Sequence, residues 1–458
     1  MSLIKSISGI RGTIGGKPDT GLTPVDIVKY TSAYATLVKE KGHNKVVIGR
    51  DGRISGPIVE SLVIATLQSM GIEVINLGLS TTPTVEMAVK YASAGGGIIL
   101  TASHNPKQWN ALKLLDETGE FISAAVGQKV LDLGNANDFT FVDVDSLGKV
   151  TSNSEYKQRH FDDILAHELV DKDAIAKKGF KVVVDGINSS GAEYVPDLLK
   201  QLGVTDIIVL NGEMHGDFAH NPEPLPAHLT EMTDVIKKEG ADLGIVVDPD
   251  VDRLAFVNED GTMFGEEYTL VAVADYILQH KKGNAVSNLS STRALRDVTE
   301  KHGGQYFASA VGEVNVVTMM KENHAVIGGE GNGGIIVPEL HYGRDALIGI
   351  ALFLSHLAKF DGSMTALRAS YPAYFISKNK IELTPEIDVD NILLQMAEKY
   401  KDENVNTIDG VKIDFAEEWV HLRKSNTEPI IRIYSESASE EKAIALAEKI
   451  MEEIREIV

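Results

Sequence analysis

The chain has 458 residues, with 44 lysines and arginines against 66 aspartates and glutamates, so its formal charge is −22 at pH 7 with histidine counted as neutral. This acidic balance argues against nucleic acid or an anionic membrane as a partner, because both attract basic surfaces. The chain contains no cysteine, which excludes disulfides, thiolate nucleophiles, iron–sulfur clusters and cysteine-ligated zinc. Without a leader-like start or an apolar run of about 18 residues, we expect a soluble protein of the reducing cytoplasm.

The length predicts about two to four domains, and the first begins as an alternation of strands and helices. Lys45–Arg50, Ile72–Gly78 and Gly97–Leu100 are short apolar runs that predict strands. Gly56–Met70 has apolar residues at helical spacing and is followed by Gly71, a common helix stop. Such alternation, with glycine at the joints, is typical of a mostly parallel sheet covered by helices.

The same pattern restarts twice, with predicted strands at Phe180–Asp185, Leu243–Val247, Ala285–Leu289 and Ala325–Ile327. After about residue 370 it changes to four strands and two helices typical of an α+β unit. We therefore predict an α/β fold of three similar α/β domains with mixed, mostly parallel sheets, followed by a C-terminal α+β domain. The predicted domains are 1–150, 151–257, 258–371 and 372–458.

An acidic loop follows the predicted strand Leu243–Val247 and reads Asp248-Pro249-Asp250-Val251-Asp252-Arg253. Its three carboxylates, at alternate positions, can converge on a hard divalent cation, which favours Mg²⁺. A solvated acidic turn would explain the same residues, and so would the start of a calcium loop. The calcium loop is disfavoured because Arg253 stands where such a loop has glycine.

A second polar loop, Thr101-Ala102-Ser103-His104-Asn105-Pro106, follows the predicted strand Gly97–Leu100. Ser103 is a candidate nucleophile, and His104 is a neighbour that can orient it or exchange protons. A serine beside a histidine also often has only a structural role, and no Gly-x-Ser-x-Gly elbow favours an esterase. Lys113, further along the chain, can bring a positive charge to the same place.

Two more loops carry polar side chains that are candidates for ligand binding. The glycine-rich segment Gly328–Gly334 holds Glu330 and Asn332, whose carboxylate and amide suit sugar hydroxyls; a flexible glycine turn is the alternative. Near the C-terminus, Arg423-Lys424-Ser425-Asn426-Thr427-Glu428-Pro429 precedes Arg432. Its arginine, hydroxyls and amide suit a phosphate group; a polar hairpin turn is the alternative.

Together, these segments resemble the α-D-phosphohexomutase superfamily, which includes phosphoglucomutase, phosphomannomutase and phosphoglucosamine mutase. The T-A-S-H-N-P segment and the aspartate loop are specific as a pair, and G-I-R-G around Arg11 and the late R-x-S-N-T-E-P segment add support. The resemblance covers essentially the whole chain. It implies a four-domain, heart-shaped architecture around a central cleft, with Mg²⁺ as cofactor.

The resemblance also implies roles for the residues at matching positions. Ser103 would carry the catalytic phosphoryl group and bind magnesium together with Asp248, Asp250 and Asp252. Arg253 would lie beside the phosphoryl group, and proton transfer or charge stabilisation would fall to Arg11, His104 and Lys113. Glu330 and Asn332 would read the sugar, and its other phosphate would be held by Arg423, Ser425, Asn426, Thr427 and Arg432.

The implied reaction moves a phosphoryl group between the 6- and 1-positions of a hexose through a phosphoserine and a bisphosphorylated sugar. The segment Val311–Val316 is nearer the form of phosphoglucosamine mutases, which favours glucosamine 6-phosphate as substrate. Asn332 and Gly334 depart from the usual sugar loop, so phosphomannomutase/phosphoglucomutase activity is the alternative. A metal-dependent sugar phosphatase and a non-catalytic sugar-phosphate sensor are more distant alternatives. We expect a monomer or a homodimer.

Overall fold

The structure is a computed structural model that describes residues 2–6, 9–382, 388–424 and 430–457. The chain divides into two compact units, one formed by Met1–Thr269 with Asn332–Thr365 and the other by Leu270–Gly331 with Ala366–Val458. Within the described ranges, no helix is long and apolar enough to cross a membrane.

The first unit begins with a seven-stranded sheet. Its elements are β1 (Leu3–Ser6), β2 (Gly9–Thr13), α1 (Pro24–Glu40), β3 (Lys45–Arg50), α2 (Gly56–Ser69), β4 (Glu73–Leu79), α3 (Thr82–Ala92), β5 (Gly97–Leu100), β6 (Trp109–Leu115), α4 (Ala124–Ala136), a 3₁₀ turn at Val144–Ser146 and β7 (Val150–Ser152). The strand order is β1-β2-β6-β5-β3-β4-β7. Strands β5, β3, β4 and β7 are parallel, and β1, β2 and β6 pair antiparallel, so the predicted mixed sheet is confirmed.

Strand β3 shows why these apolar runs form central strands. Val46 and Ile48 pack into one core with α1, α2 and α4, whereas Val47 packs on the opposite face with α3. A strand covered on both faces needs a continuous apolar run rather than alternation. The parallel strands β3 and β5 end at the same edge of the sheet, so the loops after them lie close together.

A four-stranded sheet follows in the same unit. Its elements are α5 (Glu155–Ala166), α6 (Lys172–Lys178), β8 (Lys181–Asp185), α7 (Gly191–Gln201), β9 (Asp206–Leu210), a 3₁₀ turn at Pro226–His228, α8 (Thr230–Glu239), β10 (Leu243–Val247) and β11 (Leu254–Asn258). The order is β11-β10-β8-β9, with β8, β9 and β10 parallel and β11 antiparallel to β10. Residues 248–253 therefore turn the chain between two neighbouring strands.

The next elements supply a third sheet and a long helix. They are α9 (Glu266–His280), β12 (Asn284–Asn288), α10 (Ala294–Lys301), β13 (Tyr306–Ser309), α11 (Glu313–Glu322), β14 (Ala325–Glu330), β15 (Gly334–Ile336), α12 (Ala346–Lys359) and α13 (Met364–Ala369). In the second unit, β12 pairs in parallel with β13 and β14. In the first unit, Phe353 of α12 stacks on Phe256 of β11, with ring centroids 3.8 Å apart.

Strand β14 is longer than the sequence predicts and ends at Glu330 instead of Ile327. A Cβ atom at Gly328 would lie 2.3 Å from Sδ of Met320 in α11. Gly328 therefore permits the close approach of helix and strand, and the glycine-rich segment begins as a strand. Glu330 is held at its end.

The C-terminal region is an antiparallel sheet with two helices. Its elements are β16 (Phe375–Glu382), α14 (Val389–Lys399), β17 (Asn404–Asn406), β18 (Val411–Asp414), β19 (Trp419–Lys424), β20 (Ile430–Ser437) and α15 (Glu440–Ile457). The order is β16-β20-β19-β18-β17, with every pair antiparallel. Both helices pack into one core with the central strands. The change to an α+β architecture is thus confirmed, while the limits of the predicted domains stay predictions.

Candidate active site

The acidic loop forms a tight turn between β10 and β11. Val251 has a φ of 61°, in the left-handed region that costs roughly 1–2 kcal/mol for a residue with a side chain. Oδ1 of Asp248 holds the turn by accepting the N–H groups of Asp252 and Arg253, both at 3.1 Å. The turn brings together three buried carboxylates, with one oxygen from each within 4.8 Å of the others: Asp248, Asp250 and Asp252.

Ser103 lies after β5 and contacts the acidic loop. Its backbone is also left-handed, with a φ of 49°, and its N–H donates to Oγ1 of Thr101 at 2.9 Å. In this conformation Oγ donates to Oδ2 of Asp248 at 2.6 Å, and the residue is 3% exposed. The structure thus joins two segments that lie 145 residues apart in the chain.

Two oxygens of the acidic loop accept no hydrogen bond from any described residue. They are Oδ1 of Asp250 and Oδ1 of Asp252, and both are buried. Leaving such an atom without a partner costs about 1–3 kcal/mol, and a hard cation bound to both oxygens removes that cost. Burial and the neighbouring carboxylates raise the pKa of Asp248 well above its ordinary value, and a cation would relieve that repulsion. The carboxylates therefore fit a divalent metal ion.

Lys113 is placed beside the acidic loop by strand β6. Its Nζ donates to Oδ2 of Asp250 at 2.7 Å and to Oδ2 of Asp252 at 3.2 Å. Burial alone would lower the pKa of Lys113, but these two carboxylates raise it above its ordinary value. Lys113 is therefore a fixed cation that offsets part of the loop's negative charge.

His104 lies beside the Ser103 hydroxyl, and Arg253 and Arg11 lie near His104. Nδ1 of His104 lies 3.5 Å from Oγ of Ser103. Burial, with Arg253 and Arg11 nearby, lowers the pKa of His104 to about 2, so its imidazole is neutral at pH 7. Burial lowers the pKa of Arg11, whose Nη1 donates to Oδ1 of Asn105 at 2.8 Å.

Arg253 carries a donor that is available for an anion. Its Nε is buried and donates to no acceptor among the described residues. Because an arginine N–H must donate to avoid a desolvation penalty, this atom suits an oxygen of a phosphoryl group. The structure therefore supports a site in which a cation and an anion are held side by side.

Two residues of this site escaped the sequence analysis. Oγ1 of Thr82 donates to Oδ2 of Asp250 at 2.6 Å, and Nη2 of Arg344 donates to Oδ2 of Asp252, also at 2.6 Å. Burial would raise the pKa of Asp252, but Arg344 and Lys113 lower it below its ordinary value. Thr82 follows a predicted strand, so its position was a usable signal, whereas Arg344 lies in no recognisable motif.

Arg53 is a third residue that was missed, and it shapes the serine loop. It is fully buried, pairs with Asp51 through Nε at 2.9 Å, and donates through Nη1 and Nη2 to main-chain oxygens of the loop. These oxygens belong to Ser103, Asn105, Pro106 and Trp109. Arg53 thus holds Ser103 in its left-handed conformation. It comes directly after β3, so the rule that ligands gather at strand ends pointed to it.

The predicted sugar-reading residues both have fixed side chains. Oε1 of Glu330 accepts from Nδ2 of Asn288 at 2.9 Å and from the N–H of Gly312 at 3.2 Å. Asn332 lies in the turn that follows and accepts the N–H of Gly334 at 3.2 Å through Oδ1.

The predicted phosphate loop is described at its two ends. Arg423 of β19 and Arg432 of β20 are directly opposite each other in the antiparallel pair. Two like charges at such positions repel each other, and an anion bound between them would remove the repulsion. Nε of Arg423 forms an ion pair with Oδ2 of Asp409 at 2.8 Å. The remaining predicted residues, Ser425, Asn426 and Thr427, lie outside the described part of the chain.

Comparison with protein families gives a match along nearly the whole chain. Four models of phosphoglucomutase/phosphomannomutase match in order: alpha/beta/alpha domain I at residues 3–141, domain II at 158–261, domain III at 265–374 and the C-terminal domain at 383–453. The acidic loop lies in the second match and the serine loop in the first.

Curated relatives cover the same length. The chain is 34% identical to the phosphoglucomutase/phosphomannomutase of Thermococcus kodakarensis, over 96% of this chain and 98% of that one. It is 32% identical to the phosphoglucosamine/phosphogalactosamine mutase of Sulfurisphaera tokodaii, over 100% and 99%. The fold matches a phosphoglucomutase/phosphomannomutase family protein from Burkholderia thailandensis with a TM-score of 0.83 at 24% identity, over 98% of this chain and 95% of that one. The chain therefore belongs to the phosphoglucomutase/phosphomannomutase family, within the α-D-phosphohexomutases.

Proposed function

We propose that this protein is a magnesium-dependent phosphohexomutase that moves a phosphoryl group between the 6- and 1-positions of a hexose phosphate, with glucosamine 6-phosphate as its main substrate. One observation carries the proposal. The buried hydroxyl of Ser103 donates to Asp248, in a loop where carboxylate oxygens of Asp250 and Asp252 have no donor among the described residues. A nucleophile beside a cation site is the arrangement that phosphoryl transfer requires.

The acidic loop and the serine would share the metal ion. Asp248, Asp250 and Asp252 would bind Mg²⁺ together with an oxygen of the phosphorylated Ser103. When bound, the ion would neutralise charge on the transferred group, as it does in phosphoryl transfer generally. Lys113 and Arg344 would then keep the carboxylates oriented, because each already donates to them.

The reaction consists of two transfers at Ser103. In the first, the bond between phosphorus and Oγ breaks while a bond forms from phosphorus to the free hydroxyl of the sugar phosphate. That hydroxyl loses its proton to a base or to water, and Oγ takes up a proton. This gives a hexose bisphosphate, which must reverse its orientation. In the second, a bond forms from Oγ to the other phosphorus while the bond between that phosphorus and the sugar oxygen breaks. Oγ gives up its proton and the sugar oxygen takes one up, which restores the phosphoserine and releases the isomeric monophosphate. Arg253, through its buried Nε, would hold the phosphoryl oxygens, a contact that contributes about 1.5–3 kcal/mol.

The other polar residues bind rather than react. His104, at 3.5 Å from Oγ, would orient the Ser103 hydroxyl, and Arg11 would add positive charge. Glu330 and Asn332 would bind sugar hydroxyls. The phosphate that does not react would be held by the tail residues Arg423, Ser425, Asn426, Thr427 and Arg432.

The choice of glucosamine 6-phosphate depends on the segment Val311–Val316 and on relatives such as the one from Sulfurisphaera tokodaii, which is named phosphoglucosamine/phosphogalactosamine mutase. The relative from Thermococcus kodakarensis favours a second candidate, because it is named phosphoglucomutase/phosphomannomutase. Glucose and mannose phosphates are therefore the competing substrates.

The test of the substrate is a coupled assay with the 6-phosphates of glucosamine, glucose and mannose, in the presence and absence of Mg²⁺.

Ser103→Ala should lose mutase turnover by more than about 10³-fold, because it removes the nucleophile. Intact mass should show a phosphorylated fraction that is absent from this variant. Ser61→Ala, which changes an exposed serine of α2, is the matched control. Near-normal turnover in Ser103→Ala would refute the phosphoserine mechanism. Steady release of inorganic phosphate would indicate a phosphatase instead.

A further inference from the structure

A closed ring of polar contacts within the second unit links Glu330 to Arg423. The first branch starts at Oε1 of Glu330, which accepts the N–H of Gly312 at 3.2 Å. The preceding residue, Val311, donates its own N–H to Oδ2 of Asp409 at 2.9 Å. The same oxygen forms the ion pair with Nε of Arg423 at 2.8 Å. One carboxylate oxygen therefore holds both a main-chain turn and an arginine.

The second branch closes the ring through side chains. Asn288, which donates to Glu330, accepts the N–H of Ser290 at 3.0 Å. Oγ of Ser290 hydrogen-bonds Nδ1 of His421 at 2.8 Å, and Nε2 of His421 bonds the main-chain oxygen of Asp409 at 2.7 Å. Burial lowers the pKa of His421 to about 4, so its imidazole is neutral at pH 7. Each of its two nitrogens forms one of these hydrogen bonds.

The turn at 311–312 needs to be held from outside. Gly312 has a φ of 117°, a conformation that residues with a side chain rarely adopt, and it precedes α11 without a side-chain cap. The N–H of Gly312 can donate to Glu330 only if the preceding residue, Val311, is held in this position. The hydrogen bond from Val311 to Asp409 is the contact that fixes this residue from the C-terminal region.

We propose that Asp409 is a specificity-determining positioning residue, whose carboxylate sets the Val311–Gly312 turn and Arg423 together and so couples sugar selection to phosphate binding. The inference rests on the proposed function, since it assigns Glu330 to the sugar and Arg423 to the phosphate. It predicts that sugar preference depends on a residue that touches neither the sugar nor the phosphate.

Two variants separate the two contacts of the carboxylate. Asp409→Ala removes both, so KM should rise by about tenfold or more for every hexose phosphate. The ratio of kcat/KM for glucosamine 6-phosphate to that for glucose 6-phosphate should also shift by at least about threefold. Asp409→Asn keeps an oxygen that can accept the N–H of Val311 but loses the charge beside Arg423. It should raise KM for both sugars alike and keep their ratio.

The controls make the result specific. Asp402→Ala changes an exposed aspartate of the same region and should leave KM and the ratio unchanged. Melting temperature and the phosphorylated fraction of Ser103 are measured on every variant, because a positioning role at the substrate should not change serine phosphorylation.

An unchanged ratio of kcat/KM between the two sugars in folded Asp409→Ala would overturn the inference. If Asp409→Ala does not fold, the test depends on Asp409→Asn alone. A change in the ratio of kcat/KM between the two sugars that is as large as the change in KM would then overturn the inference. Absence of mutase activity in the unmodified protein would instead refute the proposed function.

Discussion

Two buried clusters in the described part of the chain each bring three metal-ligating side chains within 4.8 Å of one another, and they differ in how their polar atoms are satisfied. One is the acidic loop of Asp248, Asp250 and Asp252. The other, which we call the histidine cluster, consists of His160, His341 and Asp345. Both lie in the first unit.

In the histidine cluster every ring nitrogen has a partner within the protein. Oδ2 of Asp345 bonds Nε2 of His160 at 2.9 Å and Nε2 of His341 at 3.2 Å. The remaining nitrogens face Oγ1 of Thr84 at 3.0 Å and Oε2 of Glu86 at 3.3 Å. Oδ1 of Asp345 accepts the N–H groups of Leu347 and Ile348 in the first turn of α12. The ring nitrogens are therefore satisfied without a metal ion, and we expect the cluster to stabilise the fold.

The acidic loop, in contrast, is incomplete without a ligand, because two of its oxygens have no donor among the described residues. The two clusters are also connected along the chain. Arg344, next to Asp345, donates to Asp252, and the N–H of Ala346 donates to the main-chain oxygen of Val251 at 3.2 Å. We infer that the satisfied cluster stabilises the segment whose Arg344 and Ala346 contact the strained turn, whereas the unsatisfied acidic loop is the one that would bind a ligand. Substitutions should therefore separate activity from stability.

The largest effect is expected for Asp248→Asn. It removes one of three carboxylates that repel one another but keeps an oxygen for the N–H groups of Asp252 and Arg253. Mutase turnover should fall by more than about 10³-fold, while the metal-free variant should melt no lower than the metal-free unmodified protein. Turnover and melting temperature with and without Mg²⁺ are the measurements.

Magnesium should raise the melting temperature of the unmodified protein, because an ion that binds only the folded state stabilises it by about 2.7 kcal/mol at a hundred times its Kd. Asp248→Asn should lose most of that rise. Asp234→Asn, at an exposed position of α8, should keep it. A marked loss of metal-free stability in Asp248→Asn would contradict the division between the clusters.

The second prediction concerns Asp345→Asn. Breaking a buried ion pair leaves its partners uncompensated, so the free energy of unfolding should fall by about 3–5 kcal/mol. Turnover at temperatures well below the melting point should fall far less than in Asp248→Asn. Urea unfolding measures the first quantity and the coupled assay the second, with the exposed Asp361→Asn as control. Equal losses of activity in both variants would show that the histidine cluster acts in the reaction itself.

The difference between the clusters also explains what the sequence could predict. The acidic loop is contiguous, so its spacing alone indicated a metal site. The histidine cluster takes its members from separate segments, with His160 on α5 and His341 before α12, and only the tertiary structure brings them together. The same reason hid Arg344, whereas Arg53 follows β3 and its position was a usable signal.

The fold was predicted best where a strand is apolar throughout and buried on both faces. The apolar run of β3 is recognisable because both faces are covered. Strand β6 was not assigned, because Asn110 and Lys113 make it look polar. Both residues are buried, and Lys113 is tolerated there only through its pairs with Asp250 and Asp252. A prediction from the spacing of apolar residues takes account of the lysine but not of the two carboxylates that pair with it.

The smallest predicted effect is the pH dependence of the histidine cluster. Burial alone would lower the pKa of His341, but hydrogen bonds to Asp345 and Glu86 raise it to about 9, from 6.5 in the unfolded chain. A raised pKa means that the charged histidine stabilises the folded state fully below pH 6.5, and that this contribution is lost as the pH rises through about 9. It should amount to about 3 kcal/mol.

His341→Gln isolates this contribution from those of other groups that titrate in the same range. Glutamine keeps a hydrogen-bonding side chain but does not titrate, so the difference in the free energy of unfolding between the unmodified protein and His341→Gln should shrink from pH 6.5 to 9. Urea unfolding at several pH values measures it, with His215→Gln, at an exposed histidine, as the matched control. A difference that grows with pH would mean that His341 is neutral in the folded protein. In that case the cluster would hold one proton fewer, Asp345 would lack its cation, and the contrast with the acidic loop would be one of hydrogen bonding alone.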